Sequence, residues 1–140
     1  MRKHSAGVTL MELMIVMVIV GILAAIAYPS YRAQILKSNR SEAKVSIQQM
    51  VQTLERCYTR TNNYNTCVGL CADCVTSPYT TPNGYYQIVA TVNAAFPDRY
   101  SLTATALGQQ ADDTKCTSLS TNEADLKDSV GTGGPAVCWK

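Results

Sequence analysis

Charge is scarce in this chain. Asp, Glu, Lys and Arg make up 16% of its 140 residues, and the formal net charge of +2 is too small to indicate nucleic acid on its own. Histidine is nearly missing, with His4 the single one, and phenylalanine and tryptophan occur once each. No glycine-rich phosphate loop is present, since Gly131-Thr-Gly-Gly134-Pro reads more simply as a turn. Asp112-Asp113 and the Asp125/Asp128 pair lack the spacing of a calcium loop. These gaps leave no constellation for catalysis and call for no cofactor or metal, so the chain is not expected to be an enzyme. A hydrophobic content of 46% excludes a disordered chain and, with the length, argues for one domain rather than a multi-span membrane protein.

What is present is unevenly spread. A dense apolar block lies near the N-terminus and polar sequence follows it, so the remaining core is small and needs support beyond hydrophobic burial. Charge is polarised too. Residues 30–60 carry Arg32, Lys37, Arg40, Lys44, Arg56 and Arg60 against Glu42 and Glu55, whereas residues 61–140 carry four bases and seven acids. That layout suits an elongated molecule packing beside copies of itself, and equally a solvated helix beside a mildly acidic domain.

The run from Val8 to Tyr28 holds one charge in 21 residues. As a helix it reaches roughly 31 Å, enough to cross a bilayer core. Three readings compete. A secretory signal would use Arg2 and Lys3 as its basic region and be cut after Ala27, within Ala25-Ile26-Ala27. A plain anchor would keep every residue. The third reading cuts after Gly7, making Val8 the new N-terminus, and Glu12 favours it. A carboxylate inside an apolar span costs about 2.5–3.5 kcal/mol at the bilayer centre on insertion scales, and neither a signal nor a simple anchor gains from it. After a cut before Val8, Glu12 is the fifth residue of the new chain, within one helical turn of the freed ammonium. A neighbouring subunit's ammonium can then neutralise it as helices bundle, fixing axial register. Snorkelling of Glu12 to the headgroups remains the plainer alternative. The cut leaves ten bases against ten acids and removes His4, which excludes histidine-dependent triads, Cys-His pairs and imidazole metal sites.

The stretch Gly7-Val-Thr-Leu-Met-Glu12-Leu-Met-Ile-Val-Met-Val-Ile-Val-Gly-Ile-Leu-Ala-Ala-Ile-Ala-Tyr-Pro29 closely resembles the class III signal of type IV prepilins. Glycine just before the cut and glutamate five residues into the mature chain carry the resemblance. It implies cleavage between Gly7 and Val8 by prepilin peptidase on the cytoplasmic face, with N-methylation of Val8, a position where the family usually has Phe. It also implies polymerisation through the N-terminal helix, with Glu12 as the assembly residue. Charge gives no orientation, because Arg32, Lys37 and Arg40 follow the span as Arg2 and Lys3 precede it. The head is therefore placed outside the cytoplasm on the resemblance and the cysteines.

Leu36, Ala43, Ile47, Met50, Leu54 and Cys57 form an amphipathic stripe. With no breaker between residues 30 and 60, one helix is expected from Val8 to Tyr58, with a kink or local melting at Pro29. Gly21, Ala24, Ala25 and Ala27 permit close approach of neighbouring helices. The expected organisation is a cleaved leader 1–7, a transmembrane and filament-core helix 8–28, and a head 29–140. Within the head come an amphipathic helix over 30–58, a polar loop over 61–84, a sheet over 85–130 and a C-terminal loop over 116–138. Residues 85–92 and 100–106 read as strands joined by a hairpin loop over 93–99, with further strands near 116–120 and 124–130. The class is α+β, a long bent helix on a three- to four-stranded antiparallel sheet.

Asn39-Arg-Ser-Glu-Ala43, Tyr100-Ser-Leu-Thr-Ala-Thr-Ala106 and the terminal Cys138-Trp139 are also similar to PilE-type minor pilins. Six cysteines in a small exported domain read as three disulfides. The resemblance implies Cys116–Cys138, which closes the C-terminal loop and is worth roughly 3 kcal/mol by loop entropy. Of the remaining cysteines, Cys57–Cys67 and Cys71–Cys74 are the favoured pairs. Cys71-Ala-Asp-Cys74 has redox spacing but sits in a polar loop without a helix start to activate a thiol. Zinc held by Cys57, Cys67, Cys71 and Cys74 is formally available, but an oxidising compartment favours bridges.

The resemblance thus implies a minor subunit of a type IV pilus serving adhesion, twitching motility or DNA uptake. Its partners would be other pilin subunits, prepilin peptidase, the inner-membrane assembly platform and, before assembly, the lipid bilayer. The chain would be a single-pass inner-membrane protein with a periplasmic head, later displayed on a surface pilus. DNA is a possible partner, since some pili bind it, although no basic-aromatic cluster stands out in the sequence. The alternatives are a type II secretion pseudopilin and a secreted disulfide-rich binding protein cleaved after Ala27.

Overall fold

The computed structural model describes residues 8–69 and 74–140. Helix α1 runs from Leu10 to Thr61. It remains helical through Pro29, so local melting does not occur there. The chain divides into two compact units between Ile35 and Leu36.

In the first unit, every residue from Val8 to Ile35 is exposed. This part of α1 is long and apolar enough to cross a membrane.

In the second unit, Ala43, Ile47, Met50, Leu54 and Cys57 are buried. Their spacings are the 3–4-residue steps of one helical face. That face packs on a meander of five antiparallel strands in sequential order: β1 Tyr79–Thr80, β2 Tyr86–Asn93, β3 Phe96–Ala106, β4 Ser118–Asn122 and β5 Asp128–Val130. Alternation of side chains along each strand turns Tyr86, Ile88, Tyr100, Leu102, Ala104 and Leu119 toward the helix, all of them buried.

The sheet departs from expectation in three places. β1 lies inside the segment expected to be only a loop, which also contains a 3₁₀ turn at Tyr64–Thr66. β3 begins at Phe96 rather than Tyr100, so the expected 93–99 loop shrinks to a turn at Ala94–Ala95, where Asn93 Oδ1 accepts the Ala95 N–H at 2.9 Å. Pairing jumps from Val92↔Tyr100 to Asn93↔Phe96, a bulge that accommodates Pro97 without a ladder hydrogen bond. Finally, the chain leaves β4 in a turn at 123–124, closed by the Asp125 N–H donating to the Asn122 carbonyl, and β5 occupies only the last part of the fourth expected strand.

The disulfides Cys57–Cys67 and Cys116–Cys138 are both formed. The first takes two of the four thiolates that a zinc site would need. The Cys71–Cys74 expectation falls on Cys71, which lies outside the described residues. A short helix, α2, spans Pro135–Cys138 inside the C-terminal loop.

An aromatic cluster closes the C-terminal end of α1. Tyr58 and Tyr64 stack with ring centroids 4.3 Å apart, and Tyr64 meets Tyr100 edge-on at 4.8 Å. Glu55 Oε1 accepts both phenols, from Tyr64 at 2.9 Å and Tyr100 at 3.2 Å. Burial, reinforced by the Glu55 carboxylate, pushes both hydroxyls well above the usual phenol range. Burial raises Tyr86 as well. The folded state therefore keeps protons that an unfolded chain releases near pH 10. Their stabilisation is fully present below that pH and is lost as pH rises above it. Denaturant midpoints should hold up to about pH 10 and then fall, with part of the phenolate absorbance appearing only on unfolding. Complete tyrosine ionisation in the folded protein at an ordinary phenol pKa, with unchanged midpoints, would refute this.

Candidate functional site

Two parts of the chain carry features beyond core packing. The first is the start of α1. Thr9 precedes the helix, and its Oγ1 accepts the Glu12 backbone N–H at 3.2 Å, while the Leu13 N–H reaches the Thr9 carbonyl at 3.1 Å. Thr9-Leu-Met-Glu12 therefore has the spacing of a capping box, with Glu12 at its third helical position and near the positive end of the helix dipole. This capping signal is legible in the sequence, although a charge inside an apolar span is the reading that Glu12 invites first. Val8 and Glu12 are both exposed, and Gly7 lies outside the described residues. Pro29 sits within α1.

The second part is built around the C-terminal disulfide. Leu107 and Gly108 turn the chain out of β3 into a 3₁₀ turn, Gly108–Asp112, that places Gln110 and Asp113 against α1. Arg40 meets Asp113 through two hydrogen bonds, Nε to Oδ2 at 2.6 Å and a terminal nitrogen to Oδ1 at 2.8 Å. Both side chains are buried, at 8% and 2% exposure. Gln110 completes the group. Its Oε1 accepts from Asn39 at 2.9 Å. Its Nε2 lies 3.1 Å from the Leu36 carbonyl, 3.1 Å from the Tyr86 hydroxyl and 3.3 Å from Asp113 Oδ2. Sequence reading missed this network because Gln110 and Asp113 stand 71 to 74 residues from their partners on α1 and follow no short motif.

This clamp consumes Arg40 and leaves lysines at the surface. Lys44 Nζ donates to the Lys140 carbonyl. Partial burial, and then the neighbouring charges of Arg40 and Lys37, hold its ammonium below the ordinary lysine range. Lys127 stands 5.8 Å from the Trp139 ring centroid and 3.1 Å from the Asp125 carboxylate. The Trp139 indole N–H donates to the Asp128 carbonyl at 2.8 Å, capping part of the β5 edge. Lys127 thus stands beside the Trp139 ring, while Lys44 reaches the backbone of the adjoining Lys140. The sequence showed no such arrangement because its members come from α1, the β4–β5 turn and the C-terminal segment.

Gly131 fixes the base of the loop. Its φ of +135° and its closeness to the Lys115 carbonyl leave no room for a side chain. Gly133 donates to that same carbonyl at 2.9 Å, which keeps residues 131–133 against the Cys116–Cys138 bridge.

Comparison with known proteins bears on both parts. A family model described as type IV minor pilin ComP, DNA uptake sequence receptor, matches residues 29–120. The prokaryotic N-terminal methylation motif matches residues 2–28. The type IV major fimbrial protein FimA of Dichelobacter nodosus is 46% identical over 57 residues, 41% of this chain and 36% of that protein. The type IV major pilin protein PilA of Myxococcus xanthus (strain DK1622) is 39% identical over 64 residues, 46% of this chain and 29% of that one. The match thus spans about a third of the length of these relatives. A type IV pilin structure from Shewanella oneidensis aligns with 26% identity and a TM-score of 0.49, covering 66% of this chain and 89% of that one. Matched through most of its head by one model and along its apolar start by the other, the chain belongs to the ComP family of type IV minor pilins.

Proposed function

We propose that this chain is a structural, non-catalytic subunit of a type IV pilus that presents a DNA-contacting surface beside its C-terminal disulfide loop. In this reading prepilin peptidase cuts between Gly7 and Val8 and the new amine is methylated. The 8–28 helix then holds the subunit in the inner membrane with its head in the periplasm. The assembly platform draws it into a filament with other pilins, where Glu12 meets a neighbour's ammonium. The uninterrupted exposure of residues 8–35, apolar except at a few positions such as Glu12 and Arg32, supports burial of that helix in lipid or in a bundle.

The observation that carries the DNA part is Lys127 beside the Trp139 ring with Lys44 on the adjoining Lys140 carbonyl, on a chain whose residues 29–120 match a family model described as a DNA uptake sequence receptor. Lysine ammoniums suit phosphates as point charges, and an indole face suits a base or sugar. The test is fluorescence anisotropy of labelled duplex DNA with the full-length chain in detergent, titrated with salt. Replacing Lys44, Lys127 and Lys140 together by alanine should weaken binding at least tenfold near physiological salt. The log–log salt slope should become shallower by about 0.9 for each phosphate that is no longer neutralised. Unchanged affinity and slope would remove this surface from the reading. No binding by the native chain would remove the DNA role and leave the pilus role standing.

A further inference from the structure

The turn joining β1 to β2 is Thr81-Pro82-Asn83-Gly84, closed by the Gly84 N–H donating to the Thr81 carbonyl at 2.8 Å. Its tip is tied to α1 by the Glu42 side chain. The Glu42 carboxylate accepts the Asn83 backbone N–H at 3.0 Å on Oε1 and the Asn83 Nδ2 at 2.7 Å on Oε2. Partial burial alone would raise this carboxyl's pKa, but the hydrogen bonds from Asn83, with a smaller contribution from Thr81, outweigh it and hold it below the ordinary glutamate range. β1 has only two residues, and beyond it the hairpin is closed by the Thr81 N–H donating to the Tyr86 carbonyl at 2.9 Å and the Tyr86 N–H donating to Thr81 Oγ1 at 3.2 Å.

Asn83 is exposed and is followed by glycine. Space is open where a Gly84 side chain would stand, and its φ of +73° suits glycine. Asn-Gly in a turn is the arrangement in which the following backbone nitrogen most readily reaches the asparagine carbonyl carbon. We propose that Asn83 is a site of non-enzymatic deamidation whose rate Glu42 restrains, and that the reaction unlatches the β1–β2 turn from α1.

The chemistry needs only water. The Gly84 nitrogen attacks Asn83 Cγ and forms a new C–N bond. The Cγ–Nδ2 bond breaks, and Nδ2 leaves as ammonia with the proton from the Gly84 N–H, closing a succinimide. Water then adds to either ring carbonyl, giving aspartate or isoaspartate. Two hydrogen bonds oppose the first step, because the attacking N–H is engaged by the Thr81 carbonyl and the leaving amide is tethered to Glu42. Once the reaction has occurred, the donor facing Glu42 Oε2 has become a second carboxylate. The latch is then a pair of like charges.

The test uses the full chain in detergent, aged at mildly alkaline pH, with peptide mapping and enzymatic isoaspartate labelling. Glu42→Ala should convert Asn83 several-fold faster than the native chain, with Glu42→Gln between them, and Asn83 should lead Asn62, Asn63, Asn65, Asn93 and Asn122. Asn83→Asp, which installs the product directly, should speed amide exchange at Gly84 and Tyr86. Combining it with Glu42→Gln should restore protection, because a glutamine amide can donate to the new carboxylate. Equal conversion rates with and without Glu42 would overturn the restraint. A turn that stays protected in Asn83→Asp beside native Glu42 would overturn the unlatching.

Discussion

Asp113→Ala should lower the stability of the head by about 3–5 kcal/mol, the cost of stranding one partner of a buried ion pair. Arg40, only 6% exposed, would keep its guanidinium buried with both carboxylate bonds gone. The Gln110 amide nitrogen would lose one of its three nearby acceptors. The deficit comes from an uncompensated charge rather than from the attraction of the pair, and this separates two variants. Arg40→Met with Asp113→Leu removes both charges and should recover most of the loss. Asp113→Asn keeps an acceptor but not the charge and should fall between. Urea midpoints with the disulfides intact would decide the matter. A double variant as unstable as Asp113→Ala would place the cost in packing instead. The pair also ties the segment leading into Cys116 to α1 just before Lys44.

Much of the fold is legible in the sequence because its signals are periodic. The helical stripe from Ala43 to Cys57 and the alternation of Tyr100, Leu102, Ala104 and Ala106 state which face is buried with no knowledge of its partner. Elements held by tertiary interactions are not legible. β1 is too short to show a period and is held by the Glu42 latch and its pairing with β2. Pro97 argues for a loop, yet a bulge gives it a place in β3 where no ladder N–H is required. The candidate surface follows the same division. The apolar start and Glu12 stand in one continuous stretch and are visible as a motif. Lys44 and Lys127 reach the Trp139-Lys140 end of the chain only after folding, because they come from α1 and the β4–β5 turn.

Glu12→Ala should abolish or sharply reduce entry into filaments while leaving the membrane-bound pool intact. The structure supplies a competing account that the experiment must separate from a pairing role. Glu12 closes the first turn of α1, where its backbone N–H is capped by Thr9, and an acid at that position is worth only about 0.3–1 kcal/mol against the helix dipole. A loss of that size frays one turn, whereas a carboxylate neutralising a neighbour's ammonium in an apolar bundle cannot be removed without leaving that ammonium unpaired. Thr9→Val removes the cap and keeps the charge, so it should assemble nearly as well as the native chain. Glu12→Gln keeps the shape and hydrogen-bonding capacity of a capping residue and discards the charge, so it should fail as Glu12→Ala does. Quantifying each variant in sheared pili against the membrane fraction distinguishes the two accounts. If Glu12→Gln enters filaments normally while Thr9→Val does not, helix capping is the role of this end of the chain and the electrostatic pairing is wrong.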